Sequence, residues 1–398
     1  MSLSELRVMV VEDHGFQRRM ALRLLAEAGI GEALEAADGK AALQLLQQQS
    51  QPPDIILVDL DMPGMDGVEF IANVAQHRLA LGIALVSALD PGLLNTVRTM
   101  ARAYGLRVLG SIEKPLTSDK LLALLRSADT ALHDPEADET VEVPFEDVRA
   151  ALLRDELIPW FQPQVEFGNG RVVAVEALAR MRLADGRVAR AGSFVPMLER
   201  EGHAQQLTDS MLAKTCDWKR KWDDTGLRLH VSVNISSAAL ANPAAADHYQ
   251  EIVRDHGVDP SEVMLEITEG SLVADVARGL GVLARLRLKG FGLSIDDFGT
   301  GYSSLAQLSQ IPFTELKIDR EFVSGASGEP RKRAVIEASL DLARKLQLAV
   351  IAEGVETLED WQMLAEMGCG MAQGYLIAHP VPGEELAAVV ARWRRPEH

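Results

Sequence analysis

A chain of 398 residues exceeds one small module and, at roughly 150 residues per domain, predicts two or three. Hydrophobic residues make up 47% and charged residues 25%, a globular composition that excludes wholesale disorder. A net charge of −18 repels polyanions, so no DNA partner is expected, although metals or local arginines could still hold a small anion. Cys216 and Cys369 stand too far apart for a disulfide framework or a cysteine zinc site, and both read as packed thiols. The first residues carry Glu5, Arg7, Glu12 and Asp13 and lack the apolar region of a signal peptide. The longest uncharged apolar stretch, Leu79 to Leu89, falls well short of the roughly 20 residues a membrane helix needs. A cytoplasmic protein with no membrane insertion is expected.

Strands are predicted over Leu6–Val11, Ala33–Ala37, Asp54–Leu60, Gly82–Ser87 and Leu106–Ile112, separated by helix-length segments. That alternation implies an α/β fold with a five-stranded, doubly wound parallel sheet whose functional groups gather at the carboxyl ends of the strands. Glu12 and Asp13 follow the first strand, Asp59 ends the third, Ser87 ends the fourth, and Lys114 follows the fifth. Three carboxylates there can hold a hard cation such as Mg²⁺. Asp59 is the natural acceptor of a phosphoryl group, whose oxygens Ser87 and Lys114 can then bond.

With VVEDH, LVDLDMPGMDG, VSA and EKP in this order, residues 1–130 resemble a two-component receiver domain of flavodoxin-like fold. The resemblance implies phosphorylation of Asp59 by a cognate sensor histidine kinase. It also implies one Mg²⁺ or Mn²⁺ held by Glu12, Asp13 and Asp59, and a switch made of Ser87 and Lys114. Ser111 stands where the family often has an aromatic switch residue, so a ring-flip relay is not expected.

Residues 131–147 carry Asp134, Glu136, Asp138, Glu139, Glu142, Glu146 and Asp147 with no Lys or Arg, and read as a solvated acidic linker. Residues 148–398 then repeat another pattern, in which an apolar run ends in one polar residue. The runs are VVAVEALAR (Glu176), LHVSVNIS (Asn234), VMLEITE (Glu266), GLSIDDFG (Asp296, Asp297), ELKID (Lys317), AVIAEGVE (Glu353) and MAQGYLIA (Gln373). Their mean spacing of about 33 residues is one strand-helix unit, which predicts a (β/α) barrel with a polar ring at one mouth. One such residue commonly just terminates a strand; so many in register indicate a site.

The ring offers oxygen ligands only, which suits Mg²⁺ or Mn²⁺ rather than zinc. Glu176, Asn234, Glu266, Asp296 and Asp297 exceed the needs of one hydrated Mg²⁺, so a two-metal site with Asp296 as a bridge is expected. Lys317 and Glu353 remain for proton handling and charge stabilisation.

EALAR, together with QPQV, SVNIS, LEITE, DDFGTGYSSL, LKIDR, AEGVE and AQGYL, identifies this part as similar to the EAL family of cyclic di-GMP phosphodiesterases. The resemblance implies a TIM-type (β/α)8 barrel with one antiparallel strand, hydrolysis of cyclic di-GMP to linear pGpG, and a homo-oligomer formed through the barrel. Carried over by motif, Glu176, Asn234, Glu266 and Asp296 are metal ligands, and Asp297 binds or positions the second metal. Glu353 is a ligand or general base, and Lys317 contacts the phosphate or the attacking water. Gln162, Leu178, Arg180 and Gln373 contact substrate, whereas Glu269, Asp319 and Glu356 anchor the mobile loop containing Gly299 and Gly301. Met181 and Ala191 depart from the family's usual tryptophan and proline, which bears on guanine-side affinity. The alternative is a non-catalytic cyclic di-GMP receptor; the full set of ligand positions favours catalysis.

Overall fold

The computed structural model describes residues 6–133 and 143–396, apart from residues 50, 78, 81, 88–93, 95, 98–99, 102–103, 105, 184, 270–275, 300–307 and 309. The chain divides into two compact units, Met1–Glu139 and Thr140–His398.

In the first unit, β1 (Arg7–Val11), β2 (Glu32–Ala36), β3 (Ile55–Asp59), β4 (Gly82–Ser87) and β5 (Arg107–Glu113) form a parallel sheet of order β2-β1-β3-β4-β5. Successive side chains of a strand point to opposite faces, so the apolar runs serve two cores. Met9, Val11, Ile56, Val58, Ile83 and Leu85 pack on one side, and Val8, Val10, Ile55, Leu57, Ala84 and Val86 on the other. Parallel register brings the strand ends to one edge, with Val11 beside Val58, Asp59 beside Val86 and Ser87 beside Glu113. The sequence of strands reverses direction across the sheet at β1, where such folds leave a crevice. Gly67 closes that edge tightly, because a Cβ there would lie 2.4 Å from the Asp59 carbonyl oxygen.

The acidic segment predicted as a linker over 131–147 meets a helix at each of its ends. A helix runs over Ser118–His133, and another, Phe145–Leu153, begins after Pro144. Glu146 and Asp147 fall in the first turn of that helix, where acidic side chains complement the helix dipole. Residues 134–142 lie outside the described residues.

The second unit is a closed eight-stranded barrel. Its strands are β6 (Leu157–Glu166), β7 (Val172–Arg182), β9 (His230–Asn234), β10 (Val263–Thr268), β11 (Gly292–Phe298), β12 (Glu315–Ile318), β13 (Ala349–Ala352) and β14 (Met371–Gln373). The short strands β8 (Val188–Arg190) and β15 (Val381–Pro382) pair outside the ring with β7 and β6. Only β6 is antiparallel to its barrel neighbours, β7 and β14. The turn between β6 and β7 explains the inversion. Parallel neighbours need a crossover of a dozen or more residues, whereas here the Glu166 N–H donates to the Arg171 carbonyl across a tight hairpin, with Gly170 at φ 70°. Leu265 and Ile267, Leu293 and Ile295, and Leu316 and Ile318 join the apolar core, while the intervening polar residues turn to the opposite face. Among the described residues, no helix is long and apolar enough to cross a membrane.

Candidate active site

At the carboxyl edge of the parallel sheet, the Lys114 ammonium lies 2.7 Å from Asp59 Oδ2 and 2.9 Å from Glu12 Oε2. Burial alone would lower the lysine's pKa, but hydrogen bonds and charge from Asp59 and Glu12 outweigh it and hold the group protonated. Glu12, Asp59 and Ser87 are buried. Asp13 stands beside them, 2.9 Å from the exposed His14 ring, and Glu12, Asp13 and His14 bring ligand atoms within 4.8 Å of one another. Ser111 is exposed on β5.

The barrel interior holds a second, larger constellation built around one ammonium. Lys317, on β12 and wholly buried, has its Nζ 2.6 Å from Glu353 Oε1, 3.0 Å from Glu266 Oε2, and 3.2 Å from both Glu176 Oε2 and Asp296 Oδ1. Asn234 donates from Nδ2 to Glu176 Oε1 at 3.1 Å and to Glu266 Oε2 at 3.3 Å, joining β9 to β7 and β10. Gln373 donates to Glu176 Oε2 at 2.5 Å and to Gln162 Oε1 at 3.1 Å. Eight of the predicted residues thus meet, one from each of the eight barrel strands or the residue just after it.

One lysine cannot neutralise this many carboxylates, and their protonation reflects it. Burial would depress the Lys317 pKa, yet Asp296, Glu176, Glu266 and Glu353 drive it well above the usual lysine range. Burial and repulsion from Glu176 raise Glu266 well above the carboxylate range. Glu353 is pushed up to about 8 by burial and by Asp296 and Glu176, against the pull of Lys317. Glu176 goes the other way: burial raises it, but Lys317 and the Gln373 amide bring it down.

Asp297 takes a left-handed backbone conformation, φ 56°, and its N–H donates to Asp296 Oδ1 at 3.1 Å. Aspartate tolerates that conformation better than bulkier residues do. Burial, then Asp296 and Asp319, raise its carboxyl to about 7. Asp296, Asp297 and Glu353 each offer an oxygen within 4.8 Å of the others. Glu266 Oε1 is buried without a hydrogen-bond partner. An oxygen-only donor set, excess negative charge and an orphaned carboxylate oxygen all fit a hard divalent cation.

The ring opens into a cavity of about 480 Å³ lined by Gln162, Glu176, Leu178, Asn234, Asp296, Asp297, Glu353, Glu356 and Gln373, with Val195, Leu207 and Met211 at an apolar end. Ala191, at the head of the helix Ala191–Arg200, lines the same space, whereas Met181 is buried in the core. Arg180 does not line the cavity; its guanidinium lies 5.6 Å from the Trp160 ring centroid and donates to the Ala179 carbonyl. Glu269 accepts the Gly299 N–H at 3.1 Å, and Gly299 has φ 100° with Phe322 where a Cβ would sit. Asp319 accepts the Glu321 N–H at 2.6 Å and bonds Asp297, so its partners are beside the ring. The remainder of the Asp296 to Leu305 loop, including Gly301, lies outside the described residues.

Gln164 and Glu315 are buried on barrel strands and were missed in the sequence. The signal for Gln164 is the QPQV spacing, which puts two glutamines on one face of a strand. Trp222, four residues after Trp218, is buried and donates Nε1 to the Gly383 carbonyl, so the pair is core packing. Cys216 and Cys369 are buried, with thiols raised to about 12 by desolvation.

A barrel with one inverted strand and a carboxylate ring around a lysine, preceded in the chain by a parallel sheet carrying an acid pair, an aspartate, a hydroxyl and a lysine, defines a receiver-linked EAL architecture. The EAL domain model matches residues 146–380 and the response regulator receiver domain model residues 8–126; the chain belongs to the EAL family and carries a receiver domain.

The chain is 35% identical to the cyclic di-GMP phosphodiesterase RocR of Pseudomonas aeruginosa over 386 residues, 96% of this chain and 98% of RocR. It is 37% identical over 246 residues to the bifunctional diguanylate cyclase/cyclic di-GMP phosphodiesterase MucR of the same organism, covering 62% of this chain and 36% of MucR. The solved MucR phosphodiesterase in complex with c-di-GMP superimposes with a TM-score of 0.58 at 37% identity, over 61% of this chain and 98% of that one.

Proposed function

We propose that this protein hydrolyses cyclic di-GMP to linear pGpG at the barrel mouth, using two Mg²⁺ or Mn²⁺ ions, under control of phosphorylation at Asp59. The observation that carries the reading is the convergence of Glu176, Glu266, Asp296 and Glu353 on one lysine, with Glu266 Oε1 left unpartnered. The 35% identity with RocR along nearly the whole chain supports the same activity.

Glu176, Asn234, Glu266 and Asp296 would hold the cations, with Asp297 placing the second. Bound cations supply Lewis-acid polarisation of the phosphodiester and a lowered pKa for the attacking water. Glu353, within 4.8 Å of Asp296 and Asp297 at the ring, accepts the water's proton. Lys317 stabilises charge developing on the phosphoryl oxygens. One P–O ester bond breaks, and the departing sugar oxygen takes a proton. Gln162, Leu178 and Gln373 contact the substrate along the cavity wall, with Arg180 at its margin.

In the receiver, Glu12, Asp13 and Asp59 would hold one further cation, and Asp59 takes the phosphoryl group from a sensor histidine kinase. Ser87 and Lys114 then engage the phosphoryl oxygens, and the barrel mediates homo-oligomerisation in the cytoplasm. Chromatography of the products formed from cyclic di-GMP with Mg²⁺ tests the reading. Stoichiometric pGpG supports it; tight binding of cyclic di-GMP without product would make the protein a receptor instead.

A further inference from the structure

The antiparallel strand β6 contributes two glutamines to the barrel interior, and the inner one has no role in the reading above. Gln164 is 1% exposed, and its Nε2 donates to Gln373 Oε1 at 2.9 Å. The two residues are direct cross-strand partners on β6 and β14, while Gln162 lies opposite Glu176 on β7. Gln373 in turn donates its own Nε2 to Glu176 Oε2 and Gln162 Oε1. Gln162 completes the chain by donating to the Ala378 carbonyl at 3.2 Å.

The direction of every bond in this chain is forced from one end. An ionised carboxylate only accepts, so Gln373 must turn its NH₂ toward Glu176. Its carbonyl oxygen then faces the wall of the barrel, where only a donor is acceptable. Gln164 is that donor. With an apolar side chain in its place, the Gln373 carbonyl would be buried without a partner, and the amide could relieve this only by turning its oxygen toward Glu176, acceptor against acceptor.

We infer that Gln164 is a positioning residue for the reaction, which fixes the Gln373 amide and through it the orientation of the Glu176 carboxylate. The inference rests on the proposed phosphodiesterase reading for its kinetic consequence. Its structural consequence, the aim of Glu176 Oε2, is independent of any substrate.

Gln164→Leu should lower kcat about 10-fold, with a smaller rise in KM for cyclic di-GMP because Gln373 also touches the substrate, and should weaken Mg²⁺ binding measured by calorimetry by a factor similar to that on kcat. Gln164→Glu gives a readout that packing alone would not move. When ionised, the introduced carboxylate is an acceptor and draws the Gln373 NH₂ away from Glu176; when protonated, it can donate as Gln164 does. The ratio of variant to wild-type activity should therefore rise as pH falls, while the ratio for Gln164→Leu stays flat. In a Gln373→Ala background, Gln164→Leu should add no further loss, because the group it positions is gone.

Wild-type kcat and Mg²⁺ affinity in Gln164→Leu, a pH-independent ratio for Gln164→Glu, or a full additional loss in the Gln373→Ala background would each overturn the inference. Should the wild-type protein fail to cleave cyclic di-GMP, the phosphodiesterase reading falls, and the Mg²⁺ isotherms of wild type and Gln164→Leu still decide the positioning role.

Discussion

Lys317 Nζ lies 2.6 Å from Glu353 Oε1 and within 3.2 Å of three further carboxylates, so one buried cation ties together side chains from five barrel strands or their ends. Removing one member of a buried charge cluster leaves the others uncompensated. Lys317→Met should destabilise the metal-free protein by about 3–5 kcal/mol, with Mg²⁺ restoring part of the loss. Thermal melts with and without Mg²⁺, compared with the exposed Lys345→Met, check this; equal shifts for the two variants would remove Lys317 from its central place.

Proton release should accompany metal binding. The carboxyl groups of Asp297 and Glu353 sit at about 7 and about 8, so both are partly protonated at neutral pH before a cation arrives. A bound cation requires them ionised and expels those protons. Affinity for Mg²⁺ should therefore rise with pH through the interval 7 to 8 and level off above it. The folded-state values exceed the ordinary carboxylate values of 3.8 and 4.5, so these groups cost the metal-free fold stability progressively as pH rises from those ordinary values to about 7 and about 8, and the loss levels off above them. Calorimetry in buffers of different ionisation enthalpy counts the protons; a pH-independent affinity would contradict the placing of both groups at the cation site.

Calcium should bind the ring and inhibit. Ca²⁺ accepts longer bonds and irregular coordination, so it satisfies the same oxygens while leaving the attacking water poorly aimed. Turnover at fixed Mg²⁺ with increasing Ca²⁺ should fall toward zero, and excess Mg²⁺ should restore it.

Phosphorylation of Asp59 should raise turnover. In the unmodified receiver the Lys114 ammonium bridges Asp59 and Glu12. A phosphoryl group adds acceptor oxygens that compete for that lysine and for Ser87, which biases the sheet edge toward a second arrangement. Coupling of about 1–3 kcal/mol corresponds to roughly 5- to 150-fold in binding terms. Rates before and after a small phosphodonor, in wild type and Asp59→Asn, check the effect. Four equal rates would mean that the receiver does not control catalysis.

Much of this arrangement is legible in the sequence because polar residues interrupt apolar strands at regular intervals. The run Gly82–Ser87 appears in the sheet with those same ends, and Asn234, Glu266, Asp296, Lys317 and Gln373 lie at or near strand ends, with Glu176 in the middle of β7. Strand direction was not legible from composition: LIPWFQPQVE has the pattern of any buried strand, and its inversion depends on a hairpin that Gly170 permits. Gln164 was hidden because a mid-strand amide reads as an outward-facing residue until the barrel closes and brings β14 alongside. The left-handed conformation of Asp297 also escaped notice, since Asp-Asp followed by Phe-Gly fits an ordinary strand end as well. Acidic composition over 131–147 concealed two helix ends, because acids at a helix start and acids in a linker look alike in sequence.

The most direct test of the central claim is the turnover of cyclic di-GMP by Glu176→Ala beside the wild type, at saturating Mg²⁺. Glu176 accepts from Asn234 and Gln373 and contacts Lys317, so its loss removes one ligand and loosens three neighbours at once. The account predicts that the wild type forms pGpG and that the variant, still folded by circular dichroism, forms none. Near-wild-type turnover by Glu176→Ala would contradict it.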